Sequence, residues 1–538
     1  MLERCLKRLI HSRGISKLLS QRIKRDSLLE QMLLAPIWIQ WGLLVAVITV
    51  SILGSRSSKI PLLSLVTKPF LALLAMHSVS LTEIPLKDDA LLITKCTMQR
   101  DMNFEEIIIG SGSGGTMAAQ SSIDRRKMVL MLESGTWIKP NTPHHSARQL
   151  AESFSFGGQE VILGRQLIPF AQGKAVGGGS EVNSGLYHEL PESVLNQWQE
   201  IVGFSLLDWE SAQGSLQEML HVQVQEVESL GIYGSSPIVR LAEANNLKWK
   251  LVPRWRKYTG TEFTHFGMST ELISDLQKKG LTLLEGHAAE KIVVKDEEIQ
   301  VHVSGKECEH YFTSDKLTIS AGTIETPRLL IKSDLAKPKD FEMNFHAMTR
   351  LVAEFPYDVN DLEDIDPHQA WPEDLKFKIG AAVSTPALLA ATKTNMGIQT
   401  EAEPSKLGVY YVSTVPEGTG RFVSLFGFSV PSFRLTSESL KTIAENTGFL
   451  GKSLIDAGAS KIFGNLDNPS ISTVHIFGSI PLGRSKLVDK YGFVRNTGNR
   501  VRVCDGSLLP SAPIVNPQGP IATICKVISE KVNSEYWN

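Results

Sequence analysis

Residues 104–135, FEEIIIGSGSGGTMAAQSSIDRRKMVLMLESG, contain the pattern that decides the fold. The apolar run at 107–109 predicts a buried strand, and only glycine and serine follow it up to Gly115. Small residues after this turn predict the start of a helix, and a second apolar run, 128–132, predicts a strand that ends at Glu133. A strand, a glycine turn, a helix, a strand and a terminal acid are typical of a βαβ unit that binds a dinucleotide. A purely structural βαβ turn is the alternative.

Each part of this unit has a physical role in holding a dinucleotide. Gly110 allows the tight turn, Gly112 lets the backbone approach a pyrophosphate, and Gly115 lets helix and strand pack closely. The helix N-terminus offers free N–H groups and a partial positive charge to phosphate. Glu133, eighteen residues after Gly115, can accept hydrogen bonds from ribose hydroxyls. The sequence therefore predicts that the ligand contacts Gly110, Gly112, Ser113, Gly114, Gly115 and Glu133.

The size and composition of the chain limit what it can be. Its 538 residues are enough for two or three domains and a large core. The formal net charge of −2 gives no indication of nucleic-acid binding. The five cysteines are scattered without a CxxC pair, so neither a zinc site nor a disulfide framework is indicated. We expect no metal, and we expect reduced thiols at Cys5, Cys96, Cys308, Cys504 and Cys525.

A basic and hydrophobic extension, residues 1–100, precedes the dinucleotide pattern. Its first 31 residues contain eight Lys or Arg against three acids, and residues 32–54 contain no charged residue. An apolar helix of about 20 residues is long enough to cross a bilayer. A second apolar stretch, 60–81, is interrupted by Lys68 and two prolines. It would be a weak second span, an interfacial helix or a segment packed on the folded domains. A buried helical extension is the alternative for both stretches.

The charges of the extension predict its topology. The positive-inside rule places residues 1–31 in the cytoplasm, so a single span would put the dinucleotide-binding domain outside. No twin-arginine pair precedes the apolar run to export a folded, cofactor-loaded protein. A hairpin of two segments, or an interfacial anchor within 32–81, keeps that domain in the cytoplasm. We therefore predict membrane association through residues 32–81, with a cytoplasmic catalytic domain.

Three further segments predict loops and strands around the βαβ unit. Residues 173–185, GKAVGGGSEVNSG, are too rich in glycine for a regular element and fit a loop that lies close to a flat or charged ligand. Residues 281–303 alternate three strand-like runs with turn residues. Residues 316–333, KLTISAGTIETPRLLIKS, predict a strand and then a helix with Pro327 in its first turn. This second helix N-terminus is also directed at a ligand.

Two stretches predict a second domain, which we expect to form a wall over the ligand. Residues 191–274 are mostly amphipathic helical sequence with four tryptophans. Residues 336–470 contain apolar alternation that is typical of an antiparallel sheet accompanied by helices. Within them, residues 436–457 predict an amphipathic helix capped by Thr436 or Ser437.

The last seventy residues hold the second informative group of motifs. His475 is followed by glycines, by Val488-Asp489 and by residues 501–510, VRVCDGSLLP. The segment 515–520, VNPQGP, then leads into a closing helix predicted over 521–535.

Four separated blocks of this sequence resemble, in the family's order, the glucose-methanol-choline (GMC) flavoprotein oxidoreductases. They are the fingerprint at 107–135, the GGGSEVNSG loop at 177–185, the AGTIETPRLL block at 321–330, and the histidine, DGSLLP and NP motifs within 475–517. Together they span residues 104–538. The layout is most similar to the branch that contains bacterial cholesterol oxidases and long-chain alcohol oxidases.

The resemblance implies an α/β fold with two parts. One is a discontinuous, Rossmann-like FAD-binding domain, and the other is an α+β substrate domain built around an antiparallel sheet. We predict the FAD-binding domain over residues 101–190, 275–335 and 475–538, and the substrate-binding domain over residues 191–274 and 336–474. The N-terminal hydrophobic helical extension lies outside the resemblance.

The resemblance also implies which residues act on the substrate. His475 would face the flavin ring, with Asn516 beside it. A neutral imidazole near its ordinary pKa suits the removal of a hydroxyl proton, while the hydride passes from carbon to flavin N5. Asn516 can orient or polarise the substrate oxygen but cannot act as a base. We interpret His346, His368 and the other histidines as structural.

Further positions match cofactor contacts of the family. Asp505 and Gly506 would lie near the ribityl-phosphate arm, and Asn183 near the isoalloxazine ring. The first N–H groups after Asn516, around Gly519 and Ile521, would favour the negative charge of reduced flavin. The contacts predicted beyond the fingerprint are Gly178, Asn183, Ala321, Gly322, Asp505, Gly506, Pro517, Gln518 and Gly519.

The function predicted is the FAD-dependent oxidation of an alcohol, and the apolar N-terminus favours a fatty alcohol or a sterol. No histidine in residues 177–185 matches the covalent attachment of some family members, so we predict non-covalent FAD. The electron acceptor would be oxygen, a quinone or a cytochrome. A cytochrome would be a separate protein, because the chain has no haem CxxCH motif. Two alternatives stay open: a lyase of the same fold, such as a light-driven fatty-acid decarboxylase, and a non-catalytic flavin-binding protein.

Overall fold

The computed structural model describes residues 104–139, 142–226, 230–259, 262–265, 267–304, 309–425 and 428–537. The predicted membrane segments 32–54 and 60–81 lie outside these residues. Contacts separate a small unit, residues 145–148 and 384–401, from the larger unit that holds the rest of the described chain. The two sheets described below belong to the larger unit.

The regular elements follow one another along the described chain. The strands are β1 (Phe104–Ile109), β2 (Val129–Glu133), β3 (Glu160–Ile162), β4 (Ile168–Phe170), β5 (Lys248–Leu251), β6 (Arg256–Thr259), β7 (Glu262–His265), β8 (Thr282–Glu285), β9 (Ala288–Val294), β10 (Ile299–Ser304), β11 (Glu309–Ile319), β12 (Asn344–Phe345), β13 (Ala347–Glu354), β14 (His368–Trp371), β15 (Phe377–Ala381), β16 (Leu407–Thr414), β17 (Gly418–Leu425), β18 (Phe428–Leu435), β19 (Lys461–Phe463), β20 (Ile476–Phe477) and β21 (Val501–Val503). The α-helices are α1 (Ser113–Ile123), α2 (Ala147–Ser153), α3 (Glu192–Val202), α4 (Leu206–Met219), α5 (Pro237–Ala244), α6 (Ser274–Lys278), α7 (Gly322–Lys332), α8 (Pro386–Met396), α9 (Ser437–Asp456) and α10 (Gln518–Glu535).

The first sheet has a parallel centre in the order β8-β2-β1-β11-β21. The N-terminal half of β11 continues into an antiparallel arm with β10 and β9. β2 is buried along its whole length, and β1 is buried except at Glu105. Strands that are covered on both faces have continuous apolar runs rather than alternation, and residues 107–109 show this pattern. The predicted α/β class and βαβ unit are confirmed.

The second sheet is antiparallel throughout, in the order β19-β13-β16-β15-β14-β5. Its two faces differ because successive side chains of a strand point to opposite sides. Leu351, Ile379 and Val412 lie on one face and share a buried core with helices α5 and α9. The opposite face carries polar side chains, including Lys378 and Arg350 on strands β15 and β13. The antiparallel sheet predicted for residues 336–470 is therefore confirmed.

Several local predictions agree with the structure. The three strands predicted within 281–303 are β8, β9 and β10. Helix α9 begins after Thr436, whose side chain accepts a hydrogen bond from the backbone N–H of Ser439 at 3.0 Å. This is the cap expected from the sequence. Cys504 and Cys525 are free thiols in the core, whereas the other three cysteines lie outside the described residues.

Three details differ from the sequence-based predictions. Pro327 lies in the second turn of α7 rather than in its first. The closing helix α10 begins at Gln518, three residues before the predicted start. Helices α3 and α4 were predicted in the substrate domain, but α4 contacts α10 of the predicted FAD-binding segment, and Trp198 and Trp209 lie in a core cluster that includes residues of both predicted domains. Amphipathic periodicity shows which face of a helix is buried but not which sheet buries it.

No helix within the described ranges has the length and the apolar character that a bilayer crossing requires.

The closest packing in the first sheet predicts a large effect of a single methyl group. Gly114 lies in the first turn of α1, where an added Cβ would clash with the carbonyl oxygen of Cys504. We expect Gly114→Ala to destabilise the protein by about 1–3 kcal/mol, as overpacking typically does. Thermal unfolding followed by circular dichroism measures the loss.

The matched control is Gly214→Ala in helix α4, where a built Cβ meets no atom within 4 Å. Because glycine is a poor helix former, this change should be neutral or stabilise by about 0.5–1 kcal/mol. Equal melting temperatures for the two variants would contradict the packing described for Gly114.

Candidate active site

Two glycine segments meet at the carboxyl end of the parallel sheet. A Cβ built on Gly178 would lie 2.8 Å from the Cα of Gly112, so the two backbones are in direct contact. Gly110 and Gly178 both have positive φ angles, 97° and 63°, which glycine adopts without strain. A Cβ on Gly115 would clash with the carbonyl oxygen of Gly110, which confirms the packing expected from the fingerprint. The segment 177–185 therefore lies against the fingerprint turn.

Glu133 and Ser111 link the fingerprint to the second glycine segment. The buried Glu133 carboxylate accepts hydrogen bonds from the backbone N–H and the hydroxyl of Ser111, at 3.0 and 2.6 Å. Its other oxygen accepts from the N–H of Gly135 at 2.7 Å and from the hydroxyl of Ser134 at 3.3 Å. The Ser111 hydroxyl accepts in turn from the N–H of Gly177 at 3.0 Å. The carboxylate thus organises its own turn, and its contact with a ribose stays a prediction.

A chain of amides joins three segments that are far apart in sequence. Gln518, the first residue of α10, donates to the hydroxyl of Ser113 at 3.0 Å. The side-chain oxygen Oε1 of Gln518 accepts a hydrogen bond from the side-chain amide of Asn183. Asn183 is fixed further because its Oδ1 accepts from the N–H of Gly185 at 2.8 Å. The start of α1, the glycine segment and the start of α10 are therefore held at one place.

Asp505 ties the start of α7 to the C-terminal block. One carboxylate oxygen accepts from the N–H of Gly322 at 2.9 Å and from the hydroxyl of Thr326 at 2.6 Å. The other accepts from the N–H of Ser507 at 2.8 Å and caps the short 3-10 turn Gly506–Leu508. Burial raises the pKa of this carboxyl, and the donated hydrogen bonds oppose the rise. Ala321, Gly322, Asp505 and Gly506 are thus brought together, as their separate motifs predicted.

The start of α10 differs from the prediction in one respect. The N–H of Ile521 donates to the carbonyl of Pro517 at 2.8 Å, so it is not free for a ligand. Because the helix starts at Gln518, its unpaired N–H groups belong to Gln518 and Gly519. A Cβ on Gly519 would lie 2.6 Å from the carbonyl oxygen of His188, which brings the segment after Asn183 against this helix start.

His475 contacts a second histidine that the sequence interpretation had set aside as structural. The Nδ1 atoms of His475 and His346 are 3.2 Å apart, and the two rings meet edge to face with centroids 5.3 Å apart. His346 is buried and also packs edge to face on Phe477. His475 is half-buried, whereas His368 pairs with buried Asp366 at 2.7 Å and is structural as predicted. His346 thus contacts the candidate base directly, and its interpretation as structural stays a prediction.

The hydrogen bond between the two imidazoles determines what His475 can do. One of the two Nδ1 atoms carries the hydrogen and the other accepts it. For His475 to accept a substrate proton at Nε2, its own Nδ1 must carry the hydrogen and donate to His346. His346 then carries its hydrogen on Nε2, a buried nitrogen that has no hydrogen-bond partner among the described residues.

Asn516 contacts a buried lysine that the sequence did not indicate. Lys378 on β15 is only 4% exposed, and its ammonium donates a hydrogen bond to Oδ1 of Asn516. Asn516 itself is half-buried, like His475. The strand sequence FKIGA places Lys378 on the face opposite the apolar core, where a lysine is expected to reach solvent. Only the tertiary structure shows that this face is also covered.

Burial without a carboxylate partner sets the charges of the site. Burial lowers the pKa of His475 and of His188 well below their usual range and lowers the pKa of His346 to about 3. The positive charge of Lys378 contributes to all three shifts. Burial also lowers the pKa of Lys378 to about 7. At neutral pH the three imidazoles are therefore uncharged, and one of them can accept a proton.

The described residues contain no group of three or more His, Cys, Asp or Glu side chains arranged to hold a metal ion.

Comparison with known proteins gives a consistent family. Family models described as GMC oxidoreductase match residues 104–349, for the N-terminal part, and 438–525, for the C-terminal part. An uncharacterized GMC-type oxidoreductase, y4nJ, of Sinorhizobium fredii is 28% identical over 488 residues, which are 79% of this chain and 94% of the relative. A long-chain-alcohol oxidase of Arabidopsis thaliana, FAO4B, is 25% identical over 262 residues, which are 44% of this chain and 34% of the relative.

Solved structures share the fold at low sequence identity. The crystal structure of a pyridoxine 4-oxidase from Mesorbium loti superposes with a TM-score of 0.63 at 15% identity, over 81% of this chain and all of that chain. A formate oxidase of Aspergillus oryzae superposes with a TM-score of 0.62 at 13% identity, over 82% of this chain and 99% of that chain. At these identities the likeness concerns the fold alone.

The lowered histidine pKa values predict how stability depends on pH. An unfolded chain protonates histidine near pH 6.5, whereas His188, His346 and His475 stay neutral in the folded protein to lower pH. Unfolding therefore takes up protons below about pH 6.5, and stability falls as the pH is lowered from there to 5 by up to about 1.4 kcal/mol per pH unit for each histidine. Lys378, whose folded pKa is about 7, adds a small slope of the same sign only near the top of this window, because below it the lysine is protonated in both states.

Replacement of one histidine tests this dependence. We expect His346→Gln to flatten the fall in unfolding midpoint between pH 6.5 and 5, because one proton fewer is taken up. The surface control is His221→Gln, at an exposed position. If His346→Gln and the wild type lost stability with the same slope, the assignment of neutral buried histidines would be wrong.

Proposed function

The chain belongs to the family of GMC oxidoreductases, and we propose that it oxidises an alcohol at the site formed by His475 and Asn516. Two observations carry the proposal: His475 and Asn516 are each half-buried and each contacted by a buried ionisable side chain, and the charge of Lys378, which contacts Asn516, also acts on His475. His346 backs His475, and Lys378 backs Asn516. Burial keeps His475 neutral at neutral pH, so its imidazole has a lone pair for a proton. Its pKa lies well below the ordinary value expected from the sequence, which makes it a weaker base than a free imidazole.

The residues at the carboxyl end of the parallel sheet fit the family's FAD cofactor. Backbone contact between Gly112 and Gly178 leaves no side chain at the turn where a pyrophosphate would lie against the N-terminus of α1. Glu133 would hold the adenosine ribose. The 3.3 Å hydrogen bond from the Ser134 hydroxyl is the longest of the four that this carboxylate accepts, so it is the one that a ribose hydroxyl would most easily replace. The other residues proposed to hold FAD are Gly110, Ser113, Gly114, Gly115, Asn183, Ala321, Gly322, Asp505, Gly506, Pro517, Gln518 and Gly519. We propose that FAD is bound non-covalently.

The proposed chemistry divides between the cofactor and the chain. When bound, the flavin supplies the acceptor of the hydride that leaves the alcohol carbon. His475 takes the hydroxyl proton at Nε2, which the hydrogen bond from its Nδ1 to His346 leaves unprotonated. Asn516 keeps its amide N–H groups for the substrate oxygen, because its carbonyl oxygen is occupied by Lys378. The alcohol thus loses one proton to the protein and one hydride to the cofactor, and becomes a carbonyl compound.

The substrate and the electron acceptor are proposed from the similarity to named relatives. The similarity to long-chain-alcohol oxidases of Arabidopsis supports the apolar alcohol, a fatty alcohol or a sterol, that the sequence predicted. The oxidase names of the relatives support oxygen as the acceptor, with a quinone or a separate cytochrome as the alternatives. Membrane association through residues 32–81 and a cytoplasmic catalytic domain remain proposals from the sequence, because those residues lie outside the described part of the chain.

Removal of the proposed base tests the reaction. We expect His475→Ala to bind FAD but to reduce it roughly 10²–10⁴-fold more slowly with an alcohol, which is the usual contribution of a general base. The measurement is anaerobic bleaching of the flavin absorbance in the dark, with alcohols of increasing chain length. Re-oxidation with oxygen or a quinone then identifies the acceptor.

The control is His221→Ala, at an exposed histidine outside the site, which should bleach at the wild-type rate. Wild-type bleaching rates in FAD-loaded His475→Ala would overturn the assignment of the base. If no alcohol bleached the wild-type flavin and alkane formed only under light, the protein would be a lyase instead.

A further inference from the structure

We propose that Lys378 is a positioning residue of the alcohol site, whose ammonium fixes the amide of Asn516 with its N–H groups free for the substrate oxygen. The inference rests on the proposed function and adds a residue that no part of the GMC sequence motifs includes. It depends on the place of Lys378 in the second sheet, on its hydrogen bond and on the charges around it.

The second sheet positions Lys378 by its strand register. On β15, Lys378 lies beside Ser413 of β16, which pairs with Met348 of β13. Two residues further along these strands, Gly380, Tyr411 and Arg350 form the next row of the same face. Gly380 lacks a side chain where the Tyr411 hydroxyl lies, since a Cβ there would be 2.6 Å from that oxygen. Lys378 thus emerges from a strand that lies inside the sheet, paired with β16 along its whole length and with β14 at Ile379 and Gly380.

The hydrogen bond determines which way the Asn516 amide points. An ammonium group has three donors and no acceptor, so only Oδ1 of Asn516 can face Lys378 while the lysine is charged. The Nδ2 donors make no hydrogen bond with the described chain and remain for a ligand. A neutral amine carries a lone pair and also accepts hydrogen bonds, so after deprotonation the amide can turn its Nδ2 toward the lysine instead. Protonated Lys378 therefore selects the donor orientation.

No opposite charge compensates Lys378 within the described residues. Its surroundings shift its pKa through burial alone, and no carboxylate there forms an ion pair with it. The titratable and charged groups around this part of the site are His188, His346, His475, Arg350, Tyr411 and Lys250. A buried positive charge without a partner favours any negative charge that develops nearby, and the substrate oxygen acquires such charge as its proton leaves. Lys378 thus also assists the step through the Asn516 amide.

This arrangement gives the reaction two pH limits of different origin. At low pH, protonation of His475 removes the base, and its pKa lies well below the usual range. At high pH, loss of the Lys378 proton, with a pKa of about 7, releases the amide orientation. The rate should therefore fall on the alkaline side of neutrality. Burial is the main cause of the low pKa of His475, and the charge of Lys378 lowers it further, so the two limits are coupled.

Two substitutions distinguish the effect of the positive charge of Lys378 from the effect of its buried side-chain volume. Lys378→Met should lower kcat/KM about 10²-fold at pH 7, as a misplaced catalytic group does, and should abolish the alkaline limit. Lys378→Arg keeps a donor that stays protonated, so it should retain much of the activity and extend the plateau to higher pH. The substrate is the alcohol that bleaches the wild-type flavin fastest. The control is Lys248→Met, an exposed lysine on β5 of the same sheet, which should leave the pH profile unchanged.

A double-mutant cycle tests whether Lys378 acts through Asn516. If it does, Lys378→Met should cost little once Asn516 is already alanine, because the amide that it positions is absent. Independent, multiplicative losses in the Lys378→Met and Asn516→Ala pair would overturn the inference. So would a Lys378→Met profile that is uniformly lowered but keeps both limits of the wild type, since that is the behaviour of a purely structural residue.

A second measurement does not depend on turnover. In FAD-loaded protein with labelled histidine, NMR follows the titration of His475, whose signal is assigned from its absence in His475→Asn. The midpoint should move to higher pH in Lys378→Met and should stay in place in Lys378→Arg. An unchanged midpoint in Lys378→Met would refute the electrostatic coupling. The NMR titration tests the electrostatic effect of Lys378 on His475 even if no alcohol reduces the flavin. Failure of every alcohol to reduce the flavin would overturn the proposed function instead.

Discussion

Direct contact of backbone on backbone at the carboxyl end of the parallel sheet is the constraint on which the site depends. Gly112 meets Gly178 there, and Gly114 meets the carbonyl of Cys504. A side chain at these positions would separate the fingerprint turn from the second glycine segment and from β21. The contacts leave no side chains between the turns at the N-terminus of α1, where the proposed pyrophosphate site lies. One geometric requirement thus joins segments that lie nearly 400 residues apart.

The electrostatics of the reacting end follow from burial rather than from ion pairs. Within the described chain, His346 and Lys378 lie behind His475 and Asn516 without a carboxylate to stabilise a charged imidazole. Burial then disfavours the charged form of every histidine in the group, and the lysine charge disfavours it further. Burial and the charge of Lys378 keep His475, the proposed base, neutral. The same lysine orients the amide of Asn516, the proposed donor. A carboxylate beside either residue would reverse both effects.

Local sequence signals predicted the fold well, because each depends on neighbours in the chain. The fingerprint, the strands β8 to β10 and the Thr436 cap are read from periodicity and from glycine or hydroxyl residues at fixed offsets. Lys378 and His346 carry no such signal, since their importance comes from strand register and from which face of the sheet is covered. The position of α4 depends on the same kind of information. An amphipathic helix packs on whichever apolar surface the tertiary structure offers, and here α4 contacts α10.

Similarity to known sequences likewise gives little information about the substrate, because the polar face near the proposed site is visible only in the tertiary structure. The motifs shared with relatives surround the proposed FAD site, whereas the polar face of the second sheet, with Lys378 and Arg350, is read only from the structure. In the proposed reaction this face would meet the hydroxyl end of an alcohol of any length, because the proposed roles concern only the oxygen and its proton. Selectivity for the rest of the molecule must therefore come from side chains that do not contact Lys378 or His475. A long apolar chain and a small polar alcohol would present the same oxygen to the same pair, and the pair cannot distinguish them.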